Sequence, residues 1–440
     1  MKNWYEKYKE KVHRYKSSIV DADEAREIID SFQESVSKHD VYLYGAGTVG
    51  QNFIRLFREL RVSVCGIMDR DPSASKILNM EIKDISFARK IAEMDNAIVI
   101  VSANRTYFDE IVEDLGENGI PRDRILNGHD LHLILQSAYC LLDALEEHKR
   151  FDLTDCWECT LLDNQCFSLR TYLKRINQFK SDDGKTTDKI RMIGYILGNI
   201  CSLKCKNCCE CIPYFEADKR AFVPADEIIR DIQHLSSACD FLTILEFVGG
   251  EPFMHPELKN VLQRVLAMKK VGIIHVFTNG TVVPGDDLCE VMRNERIMIY
   301  ISNYQSALEG ERRERRNKTI EKLGAHGVTY KVGRKEDWLD YRSFDQRNYS
   351  EDELERNFAD CFLNECNRLY KGTLYTCPHQ YAGVNLGKLK PVDGTVRIYE
   401  YDPDQLSEEL ERFRSIKTLD ACRYCKLPYN AEKAVSGEQV

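Results

Sequence analysis

The sequence predicts an α/β protein of two or three domains, and three observations predict it. The chain has 440 residues, too many for one ordinary core. Short apolar runs alternate with amphipathic helical patterns over most of its length. Its composition is globular, 43% hydrophobic and 30% charged, without a low-complexity tract.

The first 37 residues are charged throughout and lack the apolar core of a signal peptide, so residues 1–37 read as exposed N-terminal helices. Residues 38–136 open with DVYLYGAGTVGQNFIRLFREL, a strand, a glycine-rich turn and an amphipathic helix. Its fingerprint is Gly45, Gly47 and Gly50: a tight turn, a close backbone approach to a ligand, and close helix packing. A second strand ends at Asp69, at the spacing of a carboxylate that holds a ribose hydroxyl, and NAIVIVSAN supplies a third. This is a Rossmann-like pattern, which can hold a nucleotide, a nucleotide-linked group, or nothing.

Residues 137–189 read as a polar connector. Within it Cys156, Cys159 and Cys166 have zinc-like spacing but no obvious fourth ligand, so a packed connector is expected ahead of a further metal site. Residues 190–345 carry five strand candidates interleaved with helices: IRMIGYILGNI, FLTILEFVGG, GIIHVFTNG, RIMIYISNY and VTYKVG. Repeated strand–helix units build parallel sheets with functional loops at the strand C-terminal ends. There are too few units for a closed eight-stranded barrel, so an open, partial barrel is expected, with EGERRERRNK a solvated charge run on an outer helix. Residues 346–440 form a smaller, cysteine-rich C-terminal domain.

Bulk properties narrow the function. A net charge of -9 argues against a phosphate-binding surface, hence against nucleic acid as a partner. NAIVIVS and FLTILEFVGG fall far short of the roughly 20 residues that span a bilayer, so no membrane insertion is expected. Seventeen cysteines in a long chain without secretory features point to the reducing cytoplasm. There, clustered thiols bind metal or do redox chemistry, whereas scattered ones such as Cys65, Cys140, Cys239 and Cys289 are expected to be buried small hydrophobes.

The densest cluster is CSLKCKNCCEC, which follows the first barrel strand. Cys201, Cys205 and Cys208 have the spacing C-x3-C-x2-C, and three thiolates from one loop can hold three irons of a 4Fe-4S cube. The fourth iron is then open to a small molecule presenting an amine and a carboxylate. GGEP (Gly249, Gly250, Glu251, Pro252) ends the second strand; its glycines let backbone approach a ligand, and Glu251 offers an acceptor for an ammonium group. TNGT, with Thr278 and Asn279, ends the third strand, and Ser302 and Asn303 end the fourth. Short polar side chains at successive strand ends can hydrogen-bond a ribose and a carboxylate.

The three-cysteine loop, GGEP about forty residues on and the strand-end polar groups resemble the radical S-adenosylmethionine (SAM) superfamily, over roughly Ile190 to Gly333. The resemblance implies a partial (β/α)6-type radical SAM barrel in which Cys201, Cys205 and Cys208 hold the cluster, SAM chelates its open iron and Glu251 contacts the methionyl amine. It implies reductive cleavage of SAM to methionine and a 5'-deoxyadenosyl radical that takes hydrogen from substrate. An electron donor such as flavodoxin or ferredoxin is the expected partner. One departure is Asn207, where the family often has an aromatic residue before the third cysteine. Cys209 and Cys211 are surplus to the cube and read as packing or spare thiols.

Farther on, Cys361, ten residues, Gly372, four residues and Cys377 resemble the opening of the auxiliary-cluster extension called SPASM, or twitch in its shorter form. Cys422 and Cys425 would complete four ligands of a second auxiliary 4Fe-4S cluster in a twitch-like domain, with Cys366 as the alternate to Cys361; a four-cysteine zinc site is the competing reading. The whole arrangement, CSLKCKNC through LYTCP, also resembles radical SAM proteins found beside glycosyltransferases in surface-polysaccharide loci, and by this resemblance the favoured reaction is a dehydrogenation or other modification of a sugar-derived small molecule. The Rossmann-like domain could then hold a nucleotide-sugar. Modification of a ribosomally made peptide is the alternative, and a non-catalytic iron-sulfur redox sensor the third reading. The catalytic acid or base is unassigned; His379 and Tyr304 are candidates, with Arg342 for an anionic substrate group, although a packing or surface role is expected ahead of catalysis for each.

Overall fold

The computed structural model describes residues 2–9, 12–13, 16–17, 22–70, 76–77, 80–103, 107–145, 192–239, 241–304, 306–333, 338–341, 343–364 and 366–440. The chain divides into two compact units, Met1–Arg170 and Thr171–Val440. Cys156, Cys159, Cys166 and Arg342, and the side chain of Cys140, lie outside the described residues.

In the first unit, helix α1 (Lys2–Tyr8) precedes helix α2 (Ala22–Val36), which buries Ala25, Ile28, Ile29, Phe32 and Val36. The expectation of wholly exposed helix is therefore corrected: these positions recur at helical spacing and put one face in the core. Five parallel strands follow in the order β3-β2-β1-β4-β5: β1 (Asp40–Tyr44), β2 (Val64–Met68), β3 (Met80–Lys83), β4 (Ala97–Val101) and β5 (Ile125–Asn127). The chain reverses direction across the sheet at β1, so the turn between β1 and α3 (Thr48–Glu59) opens at a topological switch point.

That turn depends on two glycines. Gly45 has φ +106°, and a Cβ on Gly50 would stand 1.9 Å from the Gly45 carbonyl oxygen. Asp69 Oδ2 accepts the Ala46 N–H at 2.6 Å, so one oxygen of that carboxylate holds the turn itself. Helix α4 (Phe108–Glu117) precedes β5, and helix α5 (Gly128–Leu145) runs through position 137, which moves the start of the expected connector to the far side of this helix. Cys65 is exposed, contrary to expectation, because its strand position is only partly covered; Cys239 and Cys289 are buried.

The second unit is built on an eight-stranded sheet of order β10-β9-β8-β7-β6-β12-β13-β14. Strands β6 (Met192–Ile196), β7 (Leu242–Val248), β8 (Val271–Thr278), β9 (Ile297–Ile301) and β10 (Tyr330–Val332) are consecutive and parallel, as the alternating pattern predicts. Alternate residues such as Ile193, Tyr195, Leu245, Phe247, Ile274 and Val276 join the helices, among them α6 (Ala225–Ser237) and α7 (Leu258–Leu266), in one apolar core. The charged stretch of helix α8 (Gly310–Ala325) is largely exposed, although Arg316 is buried.

The expected boundary at 345/346 does not interrupt the sheet. Strand β12 (Arg368–Tyr370) pairs in parallel with β6, and β13 (Thr373–Tyr375) and β14 (Thr395–Arg397) extend it antiparallel. The hairpin turn is Lys371–Gly372, both at positive φ (47° and 70°), a geometry whose twist matches the flanking strands. Buried Asp231 on α6 fixes that turn by accepting hydrogen bonds from Gly372 N (3.0 Å), Tyr195 Oη (2.7 Å) and Tyr399 Oη (2.6 Å).

Candidate cluster-binding site

The loop after β6 places Cys201, Cys205 and Cys208 in one small apolar cluster with Leu203, Leu308, Tyr304 and Trp338. Burial pushes the Cys201 thiol up to about 12, raises that of Cys205, and raises that of Cys208 well above its ordinary value. A thiol in such surroundings ionises only when a cation takes its sulfur. Donors are already aimed at two of the sulfurs. Cys201 Sγ accepts from Leu203 N (3.5 Å) and Asn279 Nδ2 (3.6 Å), and Cys205 Sγ from Gln439 Nε2 (3.4 Å). Buried sulfurs from one loop with N–H groups directed at them suit an iron-sulfur cube. Among the described residues no three His, Cys, Asp or Glu side chains converge on a single metal ion. A cube places each thiolate on a different iron.

The strand ends meet this loop backbone to backbone. Gly250 N donates to Gly198 O (2.9 Å) and Glu251 N to Ile200 O (2.9 Å). A Cβ on Gly250 would lie 1.8 Å from the Ile200 carbonyl oxygen, and one on Gly249 (φ +117°) 2.6 Å from that of Gly198. The GGEP glycines thus let two loops of the protein approach each other, where the sequence suggested approach to a ligand. Glu251 is 1% exposed, and its carboxylate accepts from Thr278 Oγ1 (2.6 Å), Phe253 N (3.1 Å) and Asn279 N (2.9 Å). It braces the ends of β7 and β8. Burial pushes its carboxyl up to about 7 against these three donors. Pro252 opens the short helical turn that follows.

Asn279 extends the network. Its side chain donates to Ser202 Oγ (3.0 Å) and accepts from Thr281 Oγ1 (2.7 Å) and Thr281 N (2.8 Å). Ser302 receives its place from Ser302 N donating to Thr278 O (2.9 Å), and Asn303 is part-buried beside it. Cys201, Glu251, Thr278 and Asn279 are thus brought together, with Thr281 of the TNGT motif and with Ser202, which the sequence reading missed. Gly45, Gly47, Gly50 and Asp69 belong to the other unit.

Cys361, Cys377, Cys422 and Cys425 line a single small cavity, together with Leu363, His379, Leu419 and Leu427. Cys366 is absent from that lining. Cys377 caps helix α9 (Pro378–Asn385), its Sγ accepting from Gln380 N at 3.4 Å, and Cys425 Sγ accepts from Leu427 N at 3.5 Å. A helix N-terminus favours a thiolate. Burial, aided by the neighbouring thiols, pushes Cys377 up to about 12 and Cys422 well above its ordinary value; burial alone raises Cys425 to about 11. Four thiols lining one cavity, two of them accepting backbone N–H bonds, are ligands of the kind an iron-sulfur cube takes.

The two acid–base candidates pack against aromatic rings. His379 is 3% exposed, held neutral by burial, and stacked on Phe344 at 4.9 Å. Tyr304 packs edge-on against Trp338 beside the first three cysteines, and burial raises its hydroxyl well above the ordinary value. On the sheet face opposite the core, register aligns Arg368, Gly194, Glu246 and His275 in one row across β12, β6, β7 and β8. The Arg368 side chain lies over Gly194, where a Cβ would stand 2.6 Å from it, and Arg368 Nε donates to Glu210 Oε1 at 2.8 Å.

No protein-family model matches the chain, and no curated protein does. Solved structures similar to it include Streptococcus suis SuiB bound to S-adenosylmethionine, at 16% identity and TM-score 0.28, covering 46% of this chain and 47% of that one. BtrN in complex with AdoMet and 2-DOIA is 13% identical, at TM-score 0.31, covering 57% of this chain and 97% of that one. Native anSMEcpe with bound AdoMet is 11% identical, at TM-score 0.33, covering 54% and 88%. The aligned part of this chain spans about half the length of SuiB. No described helix is long and apolar enough to cross a membrane.

Proposed function

We propose that the second unit is a radical SAM enzyme. The observation that carries this reading is the gathering of buried Cys205 and part-buried Cys201 and Cys208 in one cluster at the C-terminal end of β6, tied through Asn279 to the ends of β7 and β8. These three residues would hold one 4Fe-4S cube, and Cys361, Cys377, Cys422 and Cys425 a second. When bound, the first cube with SAM supplies a low-potential electron for cleavage of a carbon–sulfur bond. The protein's own part is positional. Leu203 N and Asn279 orient Cys201, Glu251 locks two strand ends, and the apolar walls from Leu203, Leu308 and Trp338 exclude water.

The finer reading is oxidation of a sugar or nucleotide-sugar, with the four-cysteine site taking the electron left after hydrogen abstraction. It rests on the resemblance of the Cys361 to Cys377 spacing to twitch-type enzymes and of the whole arrangement to radical SAM proteins of surface-polysaccharide loci. Nucleotide binding at the Gly45 turn belongs to the same proposal. Anaerobic incubation of reconstituted protein with SAM and dithionite should release 5'-deoxyadenosine; none, with clusters intact, would refute the enzyme reading. Deuterium carried from a labelled sugar into 5'-deoxyadenosine supports the sugar assignment, and transfer from a labelled peptide instead overturns it. Equilibrium dialysis with NAD or a nucleotide-sugar tests the turn, where no binding retires that element.

A further inference from the structure

Residues 432–440 run as a strap over the three-cysteine loop. Strand β15 (Glu432–Ala434) pairs antiparallel with β11 (Trp338–Asp340), which anchors the strap beside the Trp338 that packs on Tyr304. The segment then turns at Gly437 (φ +75°), where a Cβ would stand 2.8 Å from Tyr304 Cβ. From there it forms an antiparallel bridge, Gln439 opposite Cys205. Backbone bonds bind it on both sides of that cysteine: Lys206 N to Glu438 O (2.7 Å) and Val440 N to Lys204 O (2.8 Å). The Gln439 side chain adds two more, accepting from Lys204 N (2.8 Å) and donating from Nε2 to Cys205 Sγ (3.4 Å). Nε2 also donates to Gly437 O at 2.6 Å, which fixes the amide so that its second hydrogen faces the sulfur.

We infer that this strap is part of the cluster site, with Gln439 a positioning residue that donates a hydrogen bond to one ligand sulfur and holds the loop closed. The inference rests on the radical SAM reading but concerns residues more than two hundred positions from the cysteine motif. An N–H donor at a thiolate stabilises the reduced, more negative state of a cluster, so its removal lowers the reduction potential. Gln439→Met keeps the length and removes the donor; Gln439→Glu keeps the acceptor for Lys204 N but also removes the donor.

In reconstituted full-length protein, each variant should shift the one-electron equilibrium of the SAM-responsive cluster about tenfold toward the oxidised form, a fall of about 59 mV. Electron paramagnetic resonance during a reductive titration reads this, and the rate of iron loss to a chelator should rise severalfold. Gly437→Val, which forces the strap away from Tyr304 and leaves the Gln439 side chain itself unaltered, should shift both in the same direction. If wild-type protein shows a cluster signal that SAM alters while all three variants match it within a factor of two, the strap inference is overturned. If the wild-type signal does not respond to SAM, the underlying reading fails instead.

Discussion

Breaking the Arg368–Glu210 pair should cost far more singly than doubly. The pair joins the three-cysteine loop to β12, with Nε and Oε1 2.8 Å apart and the residues 7% and 3% exposed. Both charges have lost their water, so removing one leaves the other unneutralised, a loss of about 3–5 kcal/mol. Arg368 also donates to the carbonyls of Cys366 and Asn367 at 3.2 Å, which puts Arg368→Met toward the upper end. Glu210→Leu should fall near 3 kcal/mol. The double variant strands no charge and should recover most of the loss, giving a coupling of at least about 2 kcal/mol. Urea unfolding followed by circular dichroism measures all four proteins, provided the slope with denaturant is unchanged. Losses that simply add would refute the idea that this pair acts as a desolvated unit.

Glu251→Gln should flatten a pH slope. The folded carboxyl, raised by burial to about 7 from 4.5, lies above its unfolded value, so the native state holds the extra proton between about pH 4.5 and 7. Stability from this group is present below that window and is lost as pH rises through it; parallel pH profiles of wild type and variant in urea unfolding would contradict this. Iron and sulfide should each approach about eight per chain after anaerobic reconstitution, falling toward about four in a Cys377→Ser, Cys422→Ser double variant. Zinc in place of the second four irons, by elemental analysis, would reject that site. Gly250→Ala drives a Cβ into the Ile200 carbonyl and should cost roughly 1–3 kcal/mol or more, with loss of cluster retention. Wild-type iron content and thermal stability in this variant would show that the two loops can separate freely.

The parts of this architecture written in local patterns were legible. Strands β6 to β10 announce themselves as apolar runs ending in glycine or small polar residues, and the three-cysteine loop falls at the end of β6. The buried face of α2 was misread: Ala25, Ile28, Ile29, Phe32 and Val36 follow helical spacing, but the high charge around them masked it. What could not be read is pairing at long range. Nothing in RLY tells a strand to join β6, because the choice is made by Arg368 finding both Glu210 and the empty space above Gly194. Gln439 likewise carries no sign of Cys205 in its neighbours. The GGEP glycines were visible, but their purpose lay in the facing loop, whose carbonyls are invisible to composition.

The direct splice of β12 onto β6 means that the gap between the two sets of thiols is set by a ladder of amides rather than by a tether. Lengthening the segment between β11 and β12 would add slack outside the ladder and leave that gap untouched. A slip of one residue along the ladder would be a different matter. It would turn Arg368 through the sheet to the greasy side and carry Cys377 away from its three companions, a gear jumping one tooth.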